Sequence, residues 1–291
     1  MKKLLLFLPL IFLFTCKKSE SSISKILKAE NSEISNSKTL PKINIDKNTV
    51  KERFEAPKNY HWIDEKANSF GYFLENFPLK KYSSLIKKFD GSEITTQNLH
   101  EAIFDLDVGT KDLQQCADAV IRLRAEYLFK TKNFDKIKFH FTSGDLMSWN
   151  DYKNGVRAFV NGNSVSFRKT ENFDDSYENF RKYLDLIFNY AGTISLNKES
   201  NAVLKTSDLK TGDFLITPGS PGHVVFIAGV CENAAGKKLF LLAEGFTPAQ
   251  SIHLLKNPFN PNISPWYELD VNSAQTKTAR YIFEPSNFRN F

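Results

Sequence analysis

The last third of the chain carries FLITPGSPGHVVFIAGVC at 214–231 and KKLFLLAEGF at 237–246. These are apolar runs rich in β-branched and aromatic residues, parted by Gly/Pro turns. They read as strands separated by turns. Earlier segments are more helical. SYENFRKYLDLIFNYAG (176–192) sets Tyr177, Phe180, Leu184, Ile187 and Phe188 on one helix face, with Gly192 placed to cap its end. SFGYFLENFPL (69–79) reads as a short helix stopped by Pro78. HEAIFDLDVG (100–109) and KIKFHFTS (136–143) alternate as strands do, and NGNSVSFRK (161–169) is a turn leading into a strand. Helices early and strands late make an α+β pattern.

The first residues, MKKLLLFLPLIFLFTCKK, have the layout of an export leader. The apolar run of roughly 11 residues falls short of the ~20 that a membrane-crossing helix needs. A cysteine directly after it, in Leu13-Phe14-Thr15-Cys16, is similar to a bacterial lipobox. That resemblance implies a signal peptide over 1–15, a lipid on Cys16 and attachment to a cell-envelope membrane, facing the periplasm or the surface. An ordinary signal peptide cut near Thr15 is the other reading. Residues 16–50 are rich in Ser, Lys, Asn and Glu without aromatics, the composition of a flexible polar tether. Residues 51–291 are expected to form a single α+β domain, for which the phenylalanines, 26 in the whole chain with three of them in the leader, supply ample core.

Net charge is +6 over 291 residues, two of the lysines lying in the leader. No dense basic patch with interleaved aromatics occurs, so a nucleic-acid partner is not expected. His61, His100, His140, His223 and His253 are scattered, and the three cysteines show no metal-ligand spacing. Neither a metal nor another cofactor is expected.

Two residues invite a chemical reading. In DLQQCADAVIRL, Asp112 is a candidate N-cap and Gln115 falls three residues on. Cys116 then sits near a helix N-terminus, where the dipole favours a thiolate and backbone N–H groups can receive an oxyanion. Against this, Leu113, Cys116, Val120, Leu123 and Tyr127 form the apolar stripe of that helix, and a small buried cysteine is an ordinary core residue. Both readings stand at this point. His223 opens its strand directly after a tight turn, as a residue at a cleft edge does. Strict alternation would put His223, Val225, Ile227, Gly229 and Cys231 on one face. Cys231, eight residues on at ~3.4 Å each, then lies about 27 Å from His223. A disulfide needs Cα atoms within ~7 Å, so Cys116 can neighbour His223 or pair with Cys231, but hardly both.

The stretch Gly212-Asp213 … Gly222-His223-Val224, with a cysteine helix before it and a polar strand end after it, resembles the NlpC/P60 and CHAP branches of the papain-like cysteine hydrolases. That resemblance implies a papain-like fold, with an antiparallel sheet packed on the cysteine-bearing helix and an insertion between that helix and the histidine strand. It also implies Cys116 as nucleophile, His223 as base, Glu244 or Gln250 as the group orienting the imidazole, and Gln115 beside the backbone of Cys116 at the oxyanion. The substrates implied are peptide-type amides, including those of peptidoglycan. Over most of the domain, the phrases DVGTKDLQQCADAVIRLRAEYLF, FTSG, YAGTISL, GSPGHVVFI and PAQSIHLLKNP…SPWY resemble a bacterial lipoprotein family classed as domain of unknown function 4846. Its members commonly have Gln where this chain has Glu244. The rival expectation is a non-catalytic envelope binding or scaffolding lipoprotein.

Lesser candidates have plainer readings. Asp105 and Asp107 share a strand face, which suits a carboxylate pair or a solvated edge. Arg122, Arg124 and Glu126 suit an anion site or helix-surface ion pairing. His140 and His253 read as structural, and Trp266 and Tyr267 as a sugar-stacking pair or a lid over the core.

Overall fold

The histidine run becomes the centre of a nine-stranded antiparallel sheet. The computed structural model describes residues 40–291, which form one compact unit from Leu40 to Phe291. The leader, Cys16 and most of the expected tether lie outside the described residues. The last residues assigned to the tether, 40–50, belong to this unit: Ile43 bridges Phe54, and the Leu79 N–H donates to the Asn48 carbonyl at 2.6 Å.

Along the chain come α1 (Val50–Arg53), β1 (Tyr60–Trp62), α2 (Phe70–Glu75), β2 (His100–Ile103) and α3 (Cys116–Lys130). Next are β3 (Lys138–His140), β4 (Leu146–Ser148), α4 (Trp149–Lys153), β5 (Val156–Asn161), β6 (Ser164–Lys169), α5 (Tyr177–Tyr190) and α6 (Thr193–Glu199). The remainder is mostly strand: β7 (Asn201–Ala202), β8 (Phe214–Thr217), β9 (His223–Asn233), β10 (Lys238–Glu244) and β11 (His253–Leu255). It closes with β12 (Trp266–Tyr267), β13 (Thr276–Lys277), β14 (Ile282–Phe283) and β15 (Phe288–Asn290). The main sheet runs β2-β11-β10-β9-β8-β15-β7, with β1 added to β9 and β12 to β10. The architecture is α+β, as the order of helices and strands predicted, and the strand pairings among the described residues are antiparallel.

Both faces of the sheet are covered. Val224, Phe226, Ala228 and Cys231 pack with α3, while Val225, Ile227 and Val230 pack under the C-terminal segment with Phe283 and Phe288. Simple alternation cannot give these sets. Leu241 pairs with Gly229 but Leu242 pairs with Ile227, so Ala228 is an extra residue in β9. This β-bulge flips the strand's sidedness and moves Cys231 to the face opposite Val225 and Ile227. Cys231 is fully buried, and both Cys116 and Cys231 are free thiols.

Between α3 and β8 lies the long insertion. Its hairpins β3–β4 and β5–β6 and its helices form an aromatic packing centre, with Phe129 stacked on Phe180 at 4.3 Å and Trp149 and Tyr183 alongside. Two local expectations change here. Helix α5 ends in extended backbone at Ala191, and Gly192 (φ 177°) is the N-cap of α6 rather than a C-terminal cap. The strand predicted over 100–109 stops at Ile103, because its partner β11 is only three residues long. Asp107 instead meets Arg122 at 3.0 Å and Arg181 at 3.3 Å. Arg122 is fully buried and also bonds Glu126 and Gln114, so one buried guanidinium ties α3 to the exposed carboxylate of Asp107 and to the segment before the helix. Trp266 and Tyr267 are buried as well. Trp266 packs edge-on against Trp62 at 5.1 Å, so neither residue is available to a sugar.

Candidate functional site

Cys116 is the first residue of α3. The cap is Gln115, not Asp112: Gln115 is extended (φ −89°, ψ −153°), and its N–H donates to Asp118 Oδ2 at 3.0 Å. Asp112 stands three residues before that cap, accepting from Gln115 Nε2 at 3.1 Å and from the Ala249 N–H at 2.7 Å. The helix start is thereby tied to the segment after β10. Gly245 makes this approach feasible, since a Cβ there would lie 2.8 Å from the Gln115 carbonyl oxygen and 2.9 Å from Ala119 Cβ.

His223 is the first residue of β9, delivered by the turn 218–222. Thr193 at the start of α6 holds that turn, its hydroxyl donating to the Gly219 carbonyl at 3.1 Å and accepting the Gly219 N–H at 3.2 Å. Gly222 packs so closely that a Cβ would sit 2.4 Å from Thr193 Oγ1. Cys116 and His223 then line one cleft of about 630 Å³, together with Gln115, Asp118, Thr193, Phe246, Thr247 and Tyr281. The sulfur lies against the start of the histidine strand, where the Val224 backbone N–H is among its hydrogen-bond donors.

Glu244, at the end of β10, holds the imidazole. His223 Nε2 meets Glu244 Oε2 at 2.8 Å, and both side chains are buried. Burial opposes ionisation of Glu244, but the hydrogen bond from His223 and the imidazoles of His223 and His253 beside the carboxyl outweigh it, holding the group at about 2. An ionised Glu244 accepts, so Nε2 carries the proton and neutral His223 presents a bare Nδ1. The ring is packed among Phe246, Tyr281 and Phe283, with centroids 5.0, 4.8 and 5.9 Å away.

Gln250 is not the imidazole's partner. Its Nε2 donates to the Pro248 carbonyl and its Oε1 accepts from Arg280 at 3.2 Å, which leaves Glu244 as the orienting group. The Gln115 side chain lies in the cleft but is engaged, donating to Asp112 and accepting from Thr247 Oγ1 at 3.0 Å.

The resting thiol is not a thiolate. Burial pushes Cys116 up to about 11, and the Asp118 carboxyl adds to the effect, outweighing the N–H groups of the helix start. Asp118 is itself raised to about 8 by burial, and its Oδ1 has no hydrogen-bond partner among the described residues. No hydrogen bond joins the sulfur of Cys116 to His223.

Sequence reasoning read His253 as structural and gave Arg280 and Tyr281 no role. His253 had a readable signal, because it opens the strand after Glu244 and is that residue's cross-strand partner. Arg280 and Tyr281 come from a loop between short strands and carry none.

No curated protein and no solved structure matches the chain. One sequence family does, over residues 50–290, which covers nearly all of the described unit. The chain belongs to the family described as domain of unknown function (4846).

Proposed function

We propose that the protein is a cysteine hydrolase of papain-like type, acting on peptide-type amide bonds and held at a bacterial cell envelope by a lipid on Cys16. The observation that carries this reading is the shared cleft: Cys116 at a helix N-terminus and His223, fixed through Nε2 by Glu244, open onto the same space. With the thiol neutral at rest, His223 Nδ1 takes the proton as Cys116 Sγ attacks the carbonyl carbon. The oxyanion is met by the Cys116 backbone N–H. Collapse breaks the C–N bond, the imidazolium protonates the departing amine, and water then hydrolyses the thioester with His223 again as base. Peptide stems of peptidoglycan are the substrate that an envelope anchor would place within reach.

The test is alkylation by iodoacetamide near neutral pH, read by mass spectrometry. Cys116 is expected to react faster than Cys231, and at least about tenfold slower in His223→Ala. Two thiols that stay inert until the protein unfolds would remove the enzyme reading. A second reading, a binding or scaffolding lipoprotein that keeps the fold without the chemistry, has a specific observation in its favour: Cys116 is 8% exposed and burial raises its pKa.

A further inference from the structure

The orienting carboxylate has a side that the proposed chemistry leaves unused. Glu244 is fully buried, and only Oε2 is committed to His223. Oε1 makes no hydrogen bond of sound geometry among the described residues. It faces His253 Nε2 at 3.4 Å and Arg280 Nη1 at 3.7 Å. A carboxylate sealed from water with one hydrogen bond is costly unless charge of opposite sign stands beside it.

We propose that His253 and Arg280 are positioning residues that act on His223 through Glu244, keeping the imidazole in the tautomer with Nε2 protonated and Nδ1 bare. This rests on the hydrolase reading only for its use, not for its geometry. His253 Nδ1 lies 2.8 Å from the Ser251 carbonyl, which can only accept, so Nδ1 holds a proton. When His253 is neutral its Nε2 is therefore a lone pair, which takes Arg280 Nη1 at 3.4 Å and offers Glu244 nothing. Arg280 is then the cation that balances Glu244. When His253 is charged, Nε2–H turns to Oε1 and supplies a second donor. In either state the carboxylate stays ionised and must accept from His223. Arg280 acts a second way. Its guanidinium stacks on Phe246 at 4.0 Å, and Phe246 packs on the His223 ring. The carboxylate behind the imidazole and the aromatic wall beside it are thus set by one side chain.

The experiment uses ¹⁵N NMR of the histidine rings of the full chain, with Cys116 alkylation by iodoacetamide as a second readout. In the wild type, neutral His223 is expected wholly in the Nε2–H form. Arg280→Gln removes the charge, and His253→Asn keeps a donor for Ser251 but removes Nε2, and with it the lone pair that holds Arg280 Nη1 beside Glu244. Each is expected to give a mixture of tautomers and to slow alkylation about tenfold. Arg280→Lys, which restores a cation, is expected to recover most of both. If Arg280→Gln does not fold, His253→Asn decides. Folded variants that keep a pure Nε2–H form and an unchanged alkylation rate would overturn the proposal. A wild-type thiol that never reacts would count against the hydrolase reading alone, because the ring spectrum reports on the array whether or not Cys116 is a nucleophile.

Discussion

Replacing Asp118 by Asn should reverse its effect on stability with pH. Asp118 is buried in the first turn of α3, takes the Gln115 N–H on Oδ2 at 3.0 Å, and leaves Oδ1 without a partner. Burial raises its carboxyl from an unfolded value near 3.8 to about 8. A carboxyl raised by folding binds its proton more tightly in the native state. Its contribution is complete below the unfolded value and is lost as pH climbs toward the folded one. Over that window the loss is about 1.4 kcal/mol per pH unit. Between pH 5 and pH 8 this amounts to about 4 kcal/mol as a ceiling, and about 2–4 kcal/mol once relaxation around the buried charge is allowed for. Asn keeps an oxygen for the Gln115 N–H and has no proton to lose. The difference in unfolding free energy, Asp118→Asn minus wild type, should therefore rise by that amount from pH 5 to pH 8. Urea unfolding at four pH values measures it. Glu75, raised to about 7 mainly by burial, titrates alike in both proteins and drops out of the difference. A difference that stays constant with pH would refute the reasoning.

Other outcomes follow from the same geometry. Gly245→Ala should destabilise by about 1–3 kcal/mol in thermal unfolding, since the new methyl meets helix backbone that cannot move aside. Arg122→Ala should cost about 3–5 kcal/mol by emptying a fully buried site and leaving the mostly buried Glu126 without its cation, whereas mutating the exposed Lys237–Glu268 pair should change the unfolding free energy in urea by less than about 1 kcal/mol. Trp266→Ala should cost about 3–5 kcal/mol and leave any sugar affinity unchanged by calorimetry, because the ring is sealed in the core. Glu244 is depressed by its histidine partners, so the stability it contributes is present above about 4.5 and lost as pH falls toward 2. The gap between wild type and Glu244→Gln should accordingly close in acid unfolding curves.

The sheet was readable because its strands are long apolar runs with turn residues between them, and α5 because five apolar residues recur at helical spacing. The order Cys116, His223, Glu244 was readable because each lies at an element end, where a cap or a turn leaves a local mark. Gly192 misled because glycine ends one helix and begins another with equal ease, and only its backbone angle separates the two. Asp112 looked like a cap by type, yet Asp118 reaches back to Gln115 and sets the start three residues later. For the thiol, the helix dipole argued for acidity and the apolar stripe for burial, and only the folded structure shows that burial outweighs the dipole. The pairing of Gln250 with Arg280 is a tertiary fact with no local mark.

Ala228 has a consequence out of proportion to its size. One surplus residue lets the two ends of a single strand serve different layers, the His223 end meeting Glu244 and the Cys231 end the helix side. Deleting it would restore a regular ladder and lose no side chain of note, but everything on one side of the deletion would swap layers. Either His223 would leave its carboxylate or Cys231 would abandon the helix, so the shortest possible deletion in this strand would undo more of the protein than the loss of a large core residue.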